Sequence, residues 1–298
     1  MVAVSEGTVL FRGYRTWYQV LGDPSASGRR LPLLVLHGGP GLPHDYLEDL
    51  AVLAETGRPV VFYDQLGCGK SDHPDDLALW IMDTFVEEIG AVRDALGLDR
   101  FHLLGHSWGG WPALEYALGQ PSGLESMVQA STCASVPAFA TETRRLKESL
   151  PAGVQRTLDE HEAAGATDDE AYGEAAMAYY TRWICRLDLP WPDHVMRSAN
   201  NLSEDVYATM QGPEWNVTGN LKDWDVTERL GELALPALVT SGRFDEMSEA
   251  VVSSLVAGVR GAEWVVFENS AHFAPVEEPD RYRDVLTTFL DRVEANPA

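Results

Sequence analysis

Phe101-His102-Leu103-Leu104-Gly105-His106-Ser107-Trp108-Gly109-Gly110 is the stretch on which the fold turns. An apolar run, Phe101 to Leu104, leads into a G-x-S-x-G string, and a helical pattern from Ala113 to Leu118 leads out of it. That is the strand–turn–helix needed to hold a serine on a strained elbow, its oxygen at the positive end of a helix. Gly105 and Gly109 suit it because side chains there would collide with the tight turn and the neighbouring backbone. Pro112 removes a backbone donor about one turn into the helix, so a local kink is expected there. An ordinary glycine-rich turn would account for the string but not for its flanks.

Short apolar runs ending in glycine alternate with helical patterns on both sides of this elbow. Residues 7–21 suggest an N-terminal hairpin pivoting at Arg12-Gly13. Strands are expected at 31–38, 59–67, 101–107, 124–131, 235–242 and 262–269. Most of these runs lack polar alternation, as strands buried on both faces of a parallel sheet should. Helices are expected at 43–56, 83–97, 108–120, 246–257 and 279–294. The alternation implies an α/β fold: an open, mostly parallel central sheet with helices on both faces. The rhythm breaks between about 133 and 232, where helical patterns at 141–164, 168–188 and 203–211 accompany four of the nine tryptophans. An inserted helical cap (133–232) on a core of 1–132 and 233–298 is the expected organisation. Most of the insert's aromatics are expected to pack its own small core.

The chain has 298 residues, enough for one large domain with an insert. Its 22 Lys+Arg against 46 Asp+Glu give a net charge of −24. Phosphate backbones and anionic membrane surfaces would repel such a chain, so neither nucleic acid nor a membrane is an expected partner. Cys68, Cys133 and Cys185 form an odd set without CxxC spacing, which argues against a disulfide framework and a structural zinc. No secretory signal or run of about 18 apolar residues is visible, so the expected localisation is cytoplasmic.

A serine hydroxyl becomes a nucleophile only when a base takes its proton and a carboxylate orients that base. After this kind of elbow the acid follows first and the histidine last. Of eight histidines only His161, His194 and His272 lie downstream, and the first two fall in the insert. His272 follows the last expected strand and is the candidate base. Asp245, after 235–242, is the candidate acid; the adjacent Glu246 stays open as the orienting group. His102 and His106 are expected to be structural, and Asp223 and Asp225 to be surface or hinge residues of the insert. For the oxyanion hole one donor is the N–H after the serine, Trp108, and the second is assigned to Gly39 in His37-Gly38-Gly39-Pro40-Gly41. Gly67-Cys68-Gly69-Lys70-Ser71 fails as a phosphate loop because position 64 is Asp. His37, His44, Asp45 and Asp64 lack metal-ligand spacing, so neither a metal nor another cofactor is expected.

HGGPG (37–41), FYDQLGCGKSD (62–72), GHSWGG (105–110), GPEWNVTGNLKDWD (212–225) and SGRFDE (241–246), with the late His272, resemble the prolyl aminopeptidase (proline iminopeptidase) family of α/β-hydrolases over nearly the whole chain. The resemblance implies the α/β-hydrolase fold. It also implies Ser107, Asp245 and His272 as triad, and Gly39 and Trp108 as oxyanion donors. Members of that family release an N-terminal residue, often proline, from small peptides or amides. They grip its free amine with acidic side chains, positions that Glu214 and Glu246 occupy here. Amino-acid amide and ester hydrolases share these motifs, and an esterase, thioesterase or acyl transferase is the alternative. Trp108, Phe139, Tyr179, Tyr180 and Trp215 are candidates to stack on the substrate side chain.

Overall fold

The computed structural model describes residues 2–23 and 30–296. A hairpin opens the chain: β1 (Val4–Phe11) and β2 (Tyr14–Leu21) meet at the expected Arg12-Gly13 turn. Then follow β3 (Leu33–Leu36), a 3-10 segment His44–Thr56, β4 (Val60–Tyr63), α1 (Met82–Ala95), β5 (Phe101–His106), α2 (Gly110–Leu118) and β6 (Leu124–Ala130). Five helices come next: α3 (Val136–Glu148), α4 (Ala152–Ala164), α5 (Glu170–Trp183), α6 (Asp193–Asn200) and α7 (Glu204–Met210). The chain closes with β7 (Ala237–Gly242), α8 (Glu249–Gly258), β8 (Glu263–Phe267), α9 (Ala274–Glu277) and α10 (Pro279–Ala295).

Among the described residues one sheet has the order β1-β2-β4-β3-β5-β6-β7-β8, antiparallel from β1 to β4 and parallel from there on. Every residue of β3, β4, β5 and β7 is buried. These strands lack polar alternation because helices cover both faces, and each buried Leu or Val side chain contributes about 1.5–3 kcal/mol. The strand order reverses between β3 and β5, whose ends pair at Leu36 and Gly105. The loops after these two strands therefore open side by side at the crevice where open α/β sheets bind ligands.

The insert departs from its expected helices in two places. The pattern over 141–164 is two helices, because Pro151 cannot continue a helix and instead precedes the first residue of α4. Helix α6, only eight residues between Pro192 and Asn201, is too short for periodicity to reveal. Leu146, Leu158, Tyr179 and Trp215 form a small apolar cluster of the insert's own. Val136, Phe139, Val206 and Met210 join the main cluster with Trp111 and Leu114. The insert's two ends are tied together: Val136 N–H donates to Trp224 O, Val226 N–H to Ala134 O, and Ser135 Oγ to Asp225 Oδ2 at 2.7 Å.

At the opposite ends of the strands from the crevice, where β3, β4 and β5 begin, α10 is held by ions. Arg58, fully buried, donates to Glu294 Oε1 at 2.5 Å and to Asp291 at 2.9 Å, and His102 Nε2 lies 3.1 Å from the same Glu294 oxygen. Burial alone would raise the Glu294 carboxyl, but the hydrogen bonds from His102 and Arg58 and the Arg58 charge draw it down to about 2. Its folded value lies below its ordinary value of 4.5, so its stabilisation is present above 4.5 and is lost as pH falls through about 2. Glu294→Gln is expected to cost about 3 kcal/mol at pH 7 and clearly less at pH 3, measured by urea unfolding. An unchanged midpoint at pH 7 would contradict this role.

Candidate active site

Strand β5 ends at His106, and Ser107 follows with φ 55°, in the left-handed region that a residue with a Cβ enters at a cost of about 1–3 kcal/mol. The conformation persists because the backbone packs tightly around it. A Cβ on Gly109 would sit 2.6 Å from the carbonyl oxygens of Leu36 and His37, and one on Gly105 would overlap the Gly109 carbonyl. Ser107–Gly109 is a single 3-10 turn, and α2 begins only at Gly110. Pro112 was expected about one turn into the helix, but α2 starts too late for that. Pro112 stands in the first turn of α2, where a missing N–H costs little.

His272 follows β8, and its Nδ1 lies 2.8 Å from Asp245 Oδ1 just beyond β7. Glu246, also open from sequence, is 4.0 Å from the other ring nitrogen, Nε2. Asp245 is therefore the carboxylate that orients the ring. It is itself held by the Met247 N–H at 2.8 Å. His272 is also held from the segment between β6 and β7: the Trp183 carbonyl accepts from the His272 N–H at 3.2 Å and from the Glu246 N–H at 3.4 Å. Beneath it Glu277 accepts the N–H groups of Ala271 and Arg186; burial raises this carboxyl to about 7 against those bonds. His161 and His194 lie elsewhere, beside Thr157 and Asp49.

The loop after β3 crosses the elbow. A Cβ on Gly38 would touch the Ser107 Cβ at 3.0 Å, so glycine permits the close approach. Gly39 has φ 112°, and its N–H finds no acceptor among the described residues. Trp108 lies in the first turn after the elbow, where N–H groups lack intrahelical acceptors. Gln65 braces both parts, donating to His37 O at 3.0 Å and accepting the Trp108 indole N–H at 2.8 Å. His37 is pushed down to about 4 by burial, so its imidazole is neutral and takes the Gln65 N–H on Nε2.

A cavity of about 270 Å³ lies over Ser107 and His272, with Gly39, Glu214 and Glu246 in its walls and an apolar remainder that includes Leu42, Trp191 and Phe273. Tyr207 Oη donates to Glu214 at 2.6 Å and Gln211 Nε2 at 3.0 Å, while Tyr179 Oη donates to Glu246 at 3.0 Å. Burial raises both carboxyls, and the Glu214 and Asp245 charges push Glu246 further up. Burial and the neighbouring carboxyl both disfavour the ionised form of these two acids. Of the five aromatics considered for stacking, Tyr180 lines the cavity and Tyr179 backs it through Glu246. Trp108 points to Gln65, Phe139 packs on Trp111, and Trp215 stays in the insert's own cluster.

Sequence reasoning missed Tyr46, Tyr207, Gln211 and the Trp183 carbonyl. Tyr207 and Gln211 carried a faint signal, spaced four residues apart on one helical face just ahead of Glu214. Nothing local marks Tyr46 or a backbone carbonyl. Among the described residues no group of three or more His, Cys, Asp or Glu is arranged to hold a metal ion, and no helix is long and apolar enough to cross a membrane.

The geometry has counterparts among known proteins. Residues 32–279 match the model of the alpha/beta hydrolase fold family. The chain is 39% identical to a proline iminopeptidase of Heyndrickxia coagulans, over 97% of this chain and 99% of that one. The solved structure of proline iminopeptidase from Mycobacterium smegmatis superposes with a TM-score of 0.89 at 39% identity, covering 98% of this chain and 99% of that one. The solved structure of VinJ gives a TM-score of 0.93 at 40% identity, covering 97% and 99%.

Proposed function

The chain belongs to the proline iminopeptidase family of α/β-hydrolases, and from that premise we propose that it frees an N-terminal amino acid, proline above all, from small peptides or amino-acid amides through an acyl-enzyme. Ser107 Oγ attacks the carbonyl carbon of the first residue while His272 Nε2 takes its proton; Asp245 keeps the imidazole in the required tautomer. The Gly39 and Trp108 N–H groups bind the oxyanion, a contribution that in other enzymes is about 3–4 kcal/mol per donor. His272 then returns the proton to the leaving amine, and water, deprotonated by the same imidazole, hydrolyses the ester on Ser107. Residues 133–232 act as a cap that restricts the site to short substrates. Small molecules in the cytoplasm, with no metal required, complete the reading.

The observation that carries it is the pair Glu214 and Glu246 in the wall of the cavity that holds Ser107. A simple esterase has no use for two buried carboxyls beside its nucleophile, whereas a substrate ammonium needs opposite charge in a site poor in water. The test is turnover of proline, alanine and leucine arylamides beside N-acetylproline arylamide. The free-amine substrates are expected to turn over at least about a hundredfold faster in kcat/KM than the blocked one. Equal rates for blocked and free proline arylamide would overturn amine recognition.

A further inference from the structure

The residue before the nucleophile is a buried histidine whose two ring nitrogens are both engaged. His106 Nε2 lies 3.0 Å from the His272 carbonyl oxygen, and a carbonyl only accepts, so Nε2 carries the proton. Burial keeps this imidazole neutral, which leaves Nδ1 bare. Nδ1 is 2.8 Å from Tyr46 Oη, so the phenol must donate to it. The same phenol oxygen accepts the Gly38 N–H at 2.8 Å. Every hydrogen in the chain thus has one permitted direction.

We propose that Tyr46 and His106 are positioning residues: a directed relay from Gly38 N–H through the Tyr46 hydroxyl and the His106 imidazole to the His272 carbonyl holds the oxyanion loop, the nucleophile elbow and the base loop in register. The three loops come from β3, β5 and β8; β3 and β5 pair as far as Leu36 and Gly105, but β6 and β7 lie between β5 and β8, so no ladder ties the base loop to the other two. Tyr46 meets this need from one point. Its ring packs on His106 and Phe273 with centroids 5.2 and 4.9 Å apart, and its backbone N–H donates to Ser198 Oγ on α6 at 2.8 Å. Ser198 in turn donates to the Pro43 carbonyl, so a helix of the insert fixes the segment that carries the phenol. Displacement of reacting groups by about 1 Å can cost a hundredfold in rate, and small errors at three loops accumulate.

The inference rests on the assignment of Ser107, Asp245 and His272, so the test includes Ser107→Ala. Tyr46→Phe removes one oxygen and keeps the ring. It is expected to lower kcat on proline arylamide about tenfold with KM changed less than twofold, and to slow fluorophosphonate labelling of Ser107 by a similar factor. His106→Leu should behave alike, and the double variant should lose no more than the worse single one, because the relay is broken once. An undiminished kcat and labelling rate in Tyr46→Phe, or losses that multiply in the double variant, would overturn the relay. If His106→Leu does not fold, Tyr46→Phe with its two readouts decides alone. Full activity in Ser107→Ala would instead remove the triad assignment, whatever Tyr46→Phe does.

Discussion

Ser107→Ala is expected to lower kcat on proline arylamide by about a thousandfold or more, with the thermal unfolding midpoint unchanged or raised. The size follows from the chemistry, since acyl transfer without the hydroxyl leaves only bound water, oriented by the oxyanion donors and the cavity, to attack the carbonyl. The stability expectation follows from the backbone. Ser107 sits at φ 55°, a strained conformation that Ala does not relieve, while among the described residues the hydroxyl forms no hydrogen bond that the change would remove. Parallel kinetics and circular dichroism melts check both parts. Turnover within tenfold of the unaltered protein would mean that another nucleophile does the work.

The second large effect is a split in substrate preference. Glu246→Gln should lower kcat/KM for free-amine arylamides about a hundredfold to a thousandfold while changing the N-acetylated substrate less than threefold, because truncating one partner of a desolvated ionic contact costs about 3–4 kcal/mol. The same substitution should stabilise the fold at high pH. Burial and the Glu214 and Asp245 charges hold Glu246 well above its ordinary value of 4.5, so the folded chain binds its proton more tightly than the unfolded chain does. That stabilisation is complete below pH 4.5 and is lost as pH rises through the folded value. Glutamine cannot ionise and loses nothing. The melting temperature of Glu246→Gln should therefore gain on that of the unaltered protein between pH 5 and pH 8. Equal losses on blocked and free substrates, or a constant gap between the two melting curves, would contradict the role of Glu246.

The elements that sequence made legible are those whose signal is local. The runs at 33–36, 60–63 and 101–106 are apolar without alternation because both their faces are covered, and the elbow glycines are needed within five residues of each other. Asp245 and His272, 27 residues apart, were readable from chain order alone, since each follows a strand of a sheet whose strands run parallel. The sequence favoured Asp245 but left Glu246 open, because neighbouring side chains leave a loop in different directions and only their placement shows which meets Nδ1. The break at Pro151 was legible in hindsight, but helix α6 was not, its eight residues being too few for a period. Tyr46 is the instructive omission. It lies in a 3-10 segment with no motif, and its importance arises from distances to Gly38 and His106, which a string does not contain.

The central claim is that one hydroxyl, on Ser107, is activated by His272. Reaction with a fluorophosphonate followed by peptide mass spectrometry tests it most directly, because only an activated serine reacts quickly. The account predicts a single adduct, on Ser107, that forms at least about a hundredfold more slowly in His272→Gln. An adduct on any other residue, or labelling of Ser107 at an undiminished rate in that variant, would contradict it.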